Sequence, residues 1–326
     1  DPNTGYQSIG GLSLKSDAYR EGVTGVRLSG RGDKRYGAGN YNVTLSDLLI
    51  WNLETGVQGR GVWMSRFMNI RVQFANTGFE FASGFTTLQF DNCFVTECEM
   101  GYRIDGVDTV VLNTCAADKA RHRAFHLANG AFVLNACHAE AEKYDHARSS
   151  VLHVEGPATV QVNGFGAYAL GLQGVGDGNF DASGDRLYFL DVEANDGPAH
   201  VRMYGQRQKG TRGEAPRIRQ TRFSSSNAAH ARASRIVVAG GLRDIETPID
   251  MDLPDGAQGA SVLRTDAEAL QPQGGQAATY DLQSSSEQRR LDVDSASVQD
   301  VARVLSTLVG DLERSGLLPG TGADGD

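Results

Sequence analysis

Leu45-Ser46-Asp47-Leu48, Phe67-Met68-Asn69-Ile70, Phe90-Asp91-Asn92-Cys93, Leu112-Asn113-Thr114-Cys115 and Leu134-Asn135-Ala136-Cys137 can be laid on one another. Their starts lie 22, 23, 22 and 22 residues apart, and Val162-Asn163-Gly164-Phe165 follows 28 residues later. Such a period marks a solenoid, in which each coil buries its apolar face against its neighbours. A second run repeats in step: Gly78-Phe79-Glu80-Phe81, Gly101-Tyr102-Arg103-Ile104 and Ala124-Phe125-His126-Leu127. Phe79 and Phe81 face one side of it and Glu80 the other, the period-two pattern of a strand. Helix periodicity is absent here, and so is the leucine–asparagine consensus of leucine-rich repeats. The pattern predicts a parallel β-helix of about three short strands per coil, with coils about 4.8 Å apart.

Stacking turns sequence spacing into ladders. Phe79, Tyr102 and Phe125, each 23 residues apart, should form an aromatic ladder along the axis. Cys93, Cys115 and Cys137 share one inward position. Buried thiols act there as small hydrophobes, although adjacent coils also bring Cα atoms within the roughly 4.4–6.8 Å that a disulfide spans. No CxxC pair is present, which argues against a zinc cage. Asp47, Asn69, Asn92 and Thr114 stand one residue before the inward position, where polar side chains are expected to hydrogen-bond turn backbone.

The 326 residues carry a formal charge of −9, with 22% charged and 40% hydrophobic residues. That composition can bury a core. The acidic balance argues against non-specific binding to nucleic acid, which needs a cationic face. No run of about 18 apolar residues exists for membrane insertion. The chain begins at Asp1 without a signal-peptide pattern and reads as a fragment or processed product, with functional residues missing upstream. Residues 1–42 should form irregular first coils. The β-helix is expected over 43–253, with a glycine-rich surface loop over 164–184. Residues 254–295 have the composition of a linker. In 296–318, Ser297 and Asp300 resemble a capping box, and Val298, Val301, Leu305, Leu308 and Leu312 are spaced 3, 4, 3 and 4. That helix either docks on the body or clamps an oligomer, and 319–326 form a tail. The expected fold class is thus all-β: a right-handed, single-stranded parallel β-helix with a short C-terminal α-helix.

Three positions after Ile70, Cys93, Cys115 and Cys137 come Gln73, Thr96, Asp118 and Glu140. In register, Asp118 and Glu140 become neighbours on adjacent coils, about 5 Å apart. Two carboxylates so close cannot both ionise easily, so one pKa should rise. An acid beside a base at that spacing suits a retaining glycosidase. These two are the candidate catalytic residues. His138 and Glu142 flank Glu140, and Arg121, His122 and Lys143 lie in the same turns and could bind an acidic sugar. An ordinary solvated turn would also collect such residues. Trp51 and Trp63 are either sugar-stacking platforms or core, and Trp63 joins the candidate glycan-binding set. His126 reads as surface. Arg202, Arg207, Lys209, Arg212, Arg217, Arg219 and Arg222 form a basic stretch, either a charged loop or a face for an anionic polysaccharide. GxSxG, HExxH, P-loop and Rossmann motifs are absent. No Asp-rich calcium repeat occurs, which weakens a calcium-dependent lyase. No metal and no cofactor are expected.

The units Leu88-Gln89-Phe90-Asp91-Asn92-Cys93-Phe94 and Phe132-Val133-Leu134-Asn135-Ala136-Cys137-His138-Ala139-Glu140 resemble coils of bacteriophage tailspikes in the pectate-lyase-like superfamily. Gly101-Tyr102-Arg103-Ile104 is similar in kind. Asp311-Leu312-Glu313-Arg314-Ser315-Gly316-Leu317-Leu318 resembles a terminal helix of phage tail and fibre proteins. The resemblance implies an extracellular, homotrimeric virion spike that recognises bacterial surface polysaccharide, either capsule or lipopolysaccharide. Other virion proteins would be held through a missing N-terminal part. Many such spikes cleave the glycan as hydrolases or lyases, and others only bind it. No catalytic motif of the family is matched, and its glycine-rich entry to the first coil is missing. A non-enzymatic adhesin and a secreted pectate-lyase-like enzyme are the alternative expectations.

Overall fold

The structure is a computed structural model that describes residues 7–29, 40–83, 86–141, 149–169, 188–205, 207–210, 219–239, 250–255, 257 and 261–265. The chain divides into two compact units, Asp1–Thr265 and Asp266–Asp326. The expected C-terminal helix and most of the expected linker lie outside the described residues, as does most of the glycine-rich loop.

The first unit is a parallel β-helix with three sheets. Val43–Ser46, Ser65–Met68, Leu88–Asp91, Thr109–Asn113, 131–135, 158–163, Ala199–Tyr204 and Arg235–Ala239 pair in sequence as the first sheet. The second runs through 49–51, Arg71–Gln73, Phe94–Thr96, Ala116–Asp118, His138–Ala141 and Gly166–Ala169. The third runs through 55–60, Thr77–Ala82, Met100–Asp105, 123–128, 150–155, Tyr188–Glu193 and Arg219–Ser224. Among the described residues, each coil from Val43 to Ser224 contributes one strand to each sheet, the last of them placing Arg207–Gly210 in the second.

The 22-residue period predicts this register, and the interior follows it. Phe79, Tyr102 and Phe125 stack with centroids 5.0 and 4.9 Å apart and planes within 3°. Phe67 and Phe90 stack at 4.8 Å. The four cysteines are buried and free, so the stacking does not produce a disulfide. Cys93, Cys115 and Cys137 donate weakly to the carbonyls of Phe67, Phe90 and Leu112, at 3.5, 3.5 and 3.4 Å. Burial pushes the Cys98 thiol up to about 12, which leaves it inert as a nucleophile. Entry into the third sheet needs close backbone approach. A Cβ at Gly78 would lie 2.7 Å from the Gly101 carbonyl oxygen and 2.6 Å from Val95 Cγ1.

Coils turn at residues with positive φ. Asp47, Asn69, Asn92, Thr114 and Ala136 hold φ of 55°, 52°, 51°, 50° and 49°, and Phe74, Glu97 and Lys119 hold 54°, 54° and 55°. The polar row meets its expectation at Thr114, whose Oγ1 donates to the Asn113 carbonyl at 2.8 Å, and departs from it at the other three positions. The backbone N–H groups of Asp47, Asn69 and Asn92 already bond the carbonyls of Met68, Asp91 and Asn113 on the next coil. Their side chains are therefore free to bond one another: Asn69 Nδ2 donates to Asp47 at 3.1 Å and Asn92 Nδ2 to Asn69 at 2.9 Å.

One further expectation changes. The ladder does not stop near 253, because Ser261–Thr265 pairs in parallel with Arg235–Ala239 and adds a rung. The early strand Ser13–Ser29 is irregular, with register breaks against Leu49–Arg60 between Lys15 and Arg20 and between Arg20 and Thr24.

Candidate functional site

Asp118 closes Ala116–Asp118, and its register partner on the next coil is Glu140 in His138–Ala141. Inward-facing Ala117 and Ala139 are buried, so both carboxylates point out of the second sheet by alternation. The row continues backwards through Thr96, Gln73 and Trp51. Trp51 thus stands three strand spacings from Asp118, about 14 Å, on the same face.

Asp118 is the chemically distinctive group. Its side chain is 12% exposed, and its Oδ1 is buried with no hydrogen-bond partner. Burial first, and the charge of Glu140 second, push its pKa from 3.8 up to about 7. A backbone hydrogen bond from the Glu140 side of the ladder and the Lys119 ammonium oppose that rise. His138 faces out two residues before Glu140, with Nε2 3.6 Å from Asp118 Oδ1, too long for a hydrogen bond. Burial holds the His138 imidazole below its usual value despite the nearby Glu140 carboxylate. A carboxyl that keeps its proton near neutral pH beside a second carboxylate can donate it to a leaving group.

A groove of roughly 400 Å³ follows the corner next to this row and is lined by Tyr19, Asn52, Phe74, Glu97, Glu99 and Arg121 among others. Phe74 and Tyr19, 37% and 51% exposed, bring two aromatic rings to its wall. Trp51 packs on Phe74 with ring centroids 5.0 Å apart. Lys119 lies 3.5 Å from Glu97. The groove therefore offers rings for stacking and charged groups for hydroxyls or an acidic sugar.

The candidate residues do not all converge. Asp118, Glu140 and His138 share one face, and Arg121 lines the adjacent groove. His122 is half-buried at the same corner, where its N–H bonds the Glu99 carbonyl at 2.9 Å. Trp63 is elsewhere: it belongs to the small two-stranded pairing of Asn40–Tyr41 with Val62–Trp63. Trp63 therefore stands apart from the row of Asp118 and Glu140, which carries Trp51 instead. Glu142 and Lys143 lie outside the described residues. Arg222 is 8% exposed and turns to Asp191 and Glu193, at 3.4 and 3.6 Å, while Arg212 and Arg217 lie outside the described residues.

Sequence reasoning missed Phe74, Glu97 and Glu99. Their signal was the corner position: Phe74 and Glu97 fall one residue after the Gln73 and Thr96 row. His126, read as surface, is only 8% exposed. No protein-family model matches the chain, and neither a curated protein nor a solved structure shows significant similarity to it.

Proposed function

We propose that this β-helix binds a bacterial surface polysaccharide along its second sheet and hydrolyses it there, in the manner of a phage tailspike. The observation that carries the reading is Asp118, a buried carboxyl poised near neutral pH and paired in register with Glu140. Strand spacing of about 4.8 Å lies close to the carboxyl separation of about 5–5.5 Å in retaining glycosidases. Asp118 would protonate the glycosidic oxygen. Glu140 would attack the anomeric carbon and form a glycosyl-enzyme, and Asp118, now a base, would activate the water that releases it. Trp51 and Phe74 would seat sugar rings further along the face. Capsule or lipopolysaccharide as substrate, a homotrimer and a place on a virion rest on the resemblance of the coils to tailspikes.

The test is release of reducing ends from a panel of purified capsular polysaccharides and lipopolysaccharides. Asp118→Asn and Glu140→Gln should each lower turnover at least about 100-fold without lowering the melting temperature. Unchanged turnover in both would remove the site from this face. Saturable binding with no new reducing ends would make the protein an adhesin. Sedimentation at three times the monomer mass tests the trimer separately.

A further inference from the structure

One outward row of the third sheet carries Gln58, Glu80, Arg103, His126, His153, Asp191 and Arg222, one residue per coil. Its first half behaves as surface. Gln58 Nε2 donates to Glu80 at 2.8 Å, and the exposed Arg103 stands 3.6 Å from Glu80. Its second half is buried: His126 is 8% exposed, and His153 and Asp191 are 0% exposed. Glu155 and Glu193 follow two residues later on the strands of His153 and Asp191. Outward-facing imidazoles and carboxylates at this depth need partners.

We propose that His126, His153 and Glu155 form a binding site for a divalent transition-metal ion of the zinc class, with Asp191 orienting His153. One ligand atom from each of the three lies within 4.8 Å of the others. His126 Nε2 is 3.1 Å from Glu155 Oε2, and the two imidazole rings meet edge to face at 4.8 Å. Two imidazoles and one carboxylate are a zinc-type donor set.

The second observation is independent of that clustering. His153 Nδ1 is 3.2 Å from Asp191 Oδ2, and an ionised carboxylate only accepts, so Nδ1 carries the proton. In the neutral imidazole Nε2 is then a bare lone pair, and it is buried with no hydrogen-bond partner. A buried acceptor without a donor is costly. A carboxylate–histidine pair with the far nitrogen open is the arrangement that holds a metal-ligating histidine in its tautomer.

A competing set, His153, Asp191 and Glu193, is equally compact. Arg222 already stands against both of its carboxylates, so a cation there would meet a guanidinium. In the favoured set the resident cation is Arg123, whose NH1 is 3.4 Å from His126 Nδ1. Arginine cannot accept, so His126 carries its proton on Nε2, toward Glu155. Metal entry moves that proton to Nδ1, with no net gain or loss, and turns Arg123 away. Glu155, 35% exposed, gives the entry path. The spacing motifs that announce metals in a sequence are absent, because the first histidine comes from the coil before, 27 residues ahead of the His153-Val154-Glu155 strand.

The full chain, stripped with a chelator, should take up one Zn²⁺ or Co²⁺ per chain through gel filtration and melt at a higher temperature with the ion. Bound Co²⁺ should show the visible absorption of four-coordinate nitrogen and oxygen ligation. His153→Ala and Glu155→Gln should abolish retention, Asp191→Asn should weaken affinity about 10–100-fold, and Arg123→Gln should tighten it. His200→Ala, on the first sheet, should change nothing. Uptake well below one ion per chain overturns the proposal, as does uptake unaltered by Glu155→Gln. That variant is isosteric and part-exposed, so it carries the test if His153→Ala does not fold.

Discussion

Asp118 shows how one buried atom sets a pH response. Its carboxyl titrates near 7 in the folded chain against 3.8 ordinarily. Between those values the native state holds a proton that the unfolded chain has released. Its contribution to stability is therefore full below about pH 4 and is lost as pH rises through about 7. Asp118→Asn should remove this slope. Relative to the parent, the variant should gain melting temperature between pH 4 and pH 8, by about 2–4 °C per kcal/mol recovered for a unit of this size. Melts across that range check it, and parallel curves for the two proteins would clear Asp118 of the effect. Hydrolysis, if Asp118 is the acid, should fall above about pH 7 for the same reason. Tyr102 offers a second single-atom test. Its hydroxyl, wholly buried, donates to the Cys93 carbonyl at 2.8 Å. Tyr102→Phe keeps the ring stack and deletes that bond, so denaturant titration should show a loss of about 1–2 kcal/mol.

At the scale of the element, the strand ends are tied by an amide ladder. Asn113 Nδ2 donates to Asp91, Asn135 Nδ2 to Asn113 and Asn163 Nδ2 to Asn135, at 2.8, 2.9 and 2.9 Å. Asp91 anchors it. Burial would raise that carboxyl, but hydrogen bonds from Asn113, Arg66 and Gln89 outweigh burial and hold it below its ordinary value. Asn113→Ala removes a donor and an acceptor from the middle of a half-buried ladder, and should cost about 1–2 kcal/mol. Asn69→Ala, in the exposed ladder beside it, should stay within about 0.5 kcal/mol. Equal losses in urea titrations would show that burial does not separate the two ladders. The inward ladders were legible because period and alternation alone determine them: Phe79 above Tyr102, and Cys93 above Cys115. The register of Asp118 with Glu140 was legible by the same arithmetic. The amide ladders were not, because a sequence does not show that corner N–H groups are already bonded to the next coil. His126 was misread as surface because alternation gives the direction of a side chain and not what lies over it. Trp63 stands 22 residues after Tyr41, on the period of the repeat, but outside the second sheet that carries Trp51.

At the scale of the whole unit, each coil touches only its neighbours, so stability is a sum of local terms and can differ along the axis. Ser261–Thr265 went unseen in a stretch of linker composition because one strand of five residues barely changes the composition around it. Its pairing protects the edge of Arg235–Ala239. The other end is weaker. Ser13–Ser29 is exposed along most of its length, with Tyr19 and Val23 at 51% and 42%, and its pairing is broken twice. Arg123–Asn135 by contrast is paired with coils on both sides and carries the fully buried Phe125 and Leu134. Backbone hydrogen bonds open first where few apolar contacts hold them. Hydrogen exchange read by peptide mass should therefore show amides of 13–24 exchanging at least about 100-fold faster than those of 123–135, a gap of roughly 3 kcal/mol in opening free energy. Equal protection in the two segments would mean that the first coil is held by contacts outside its own strand, and that the unit opens as one body rather than coil by coil.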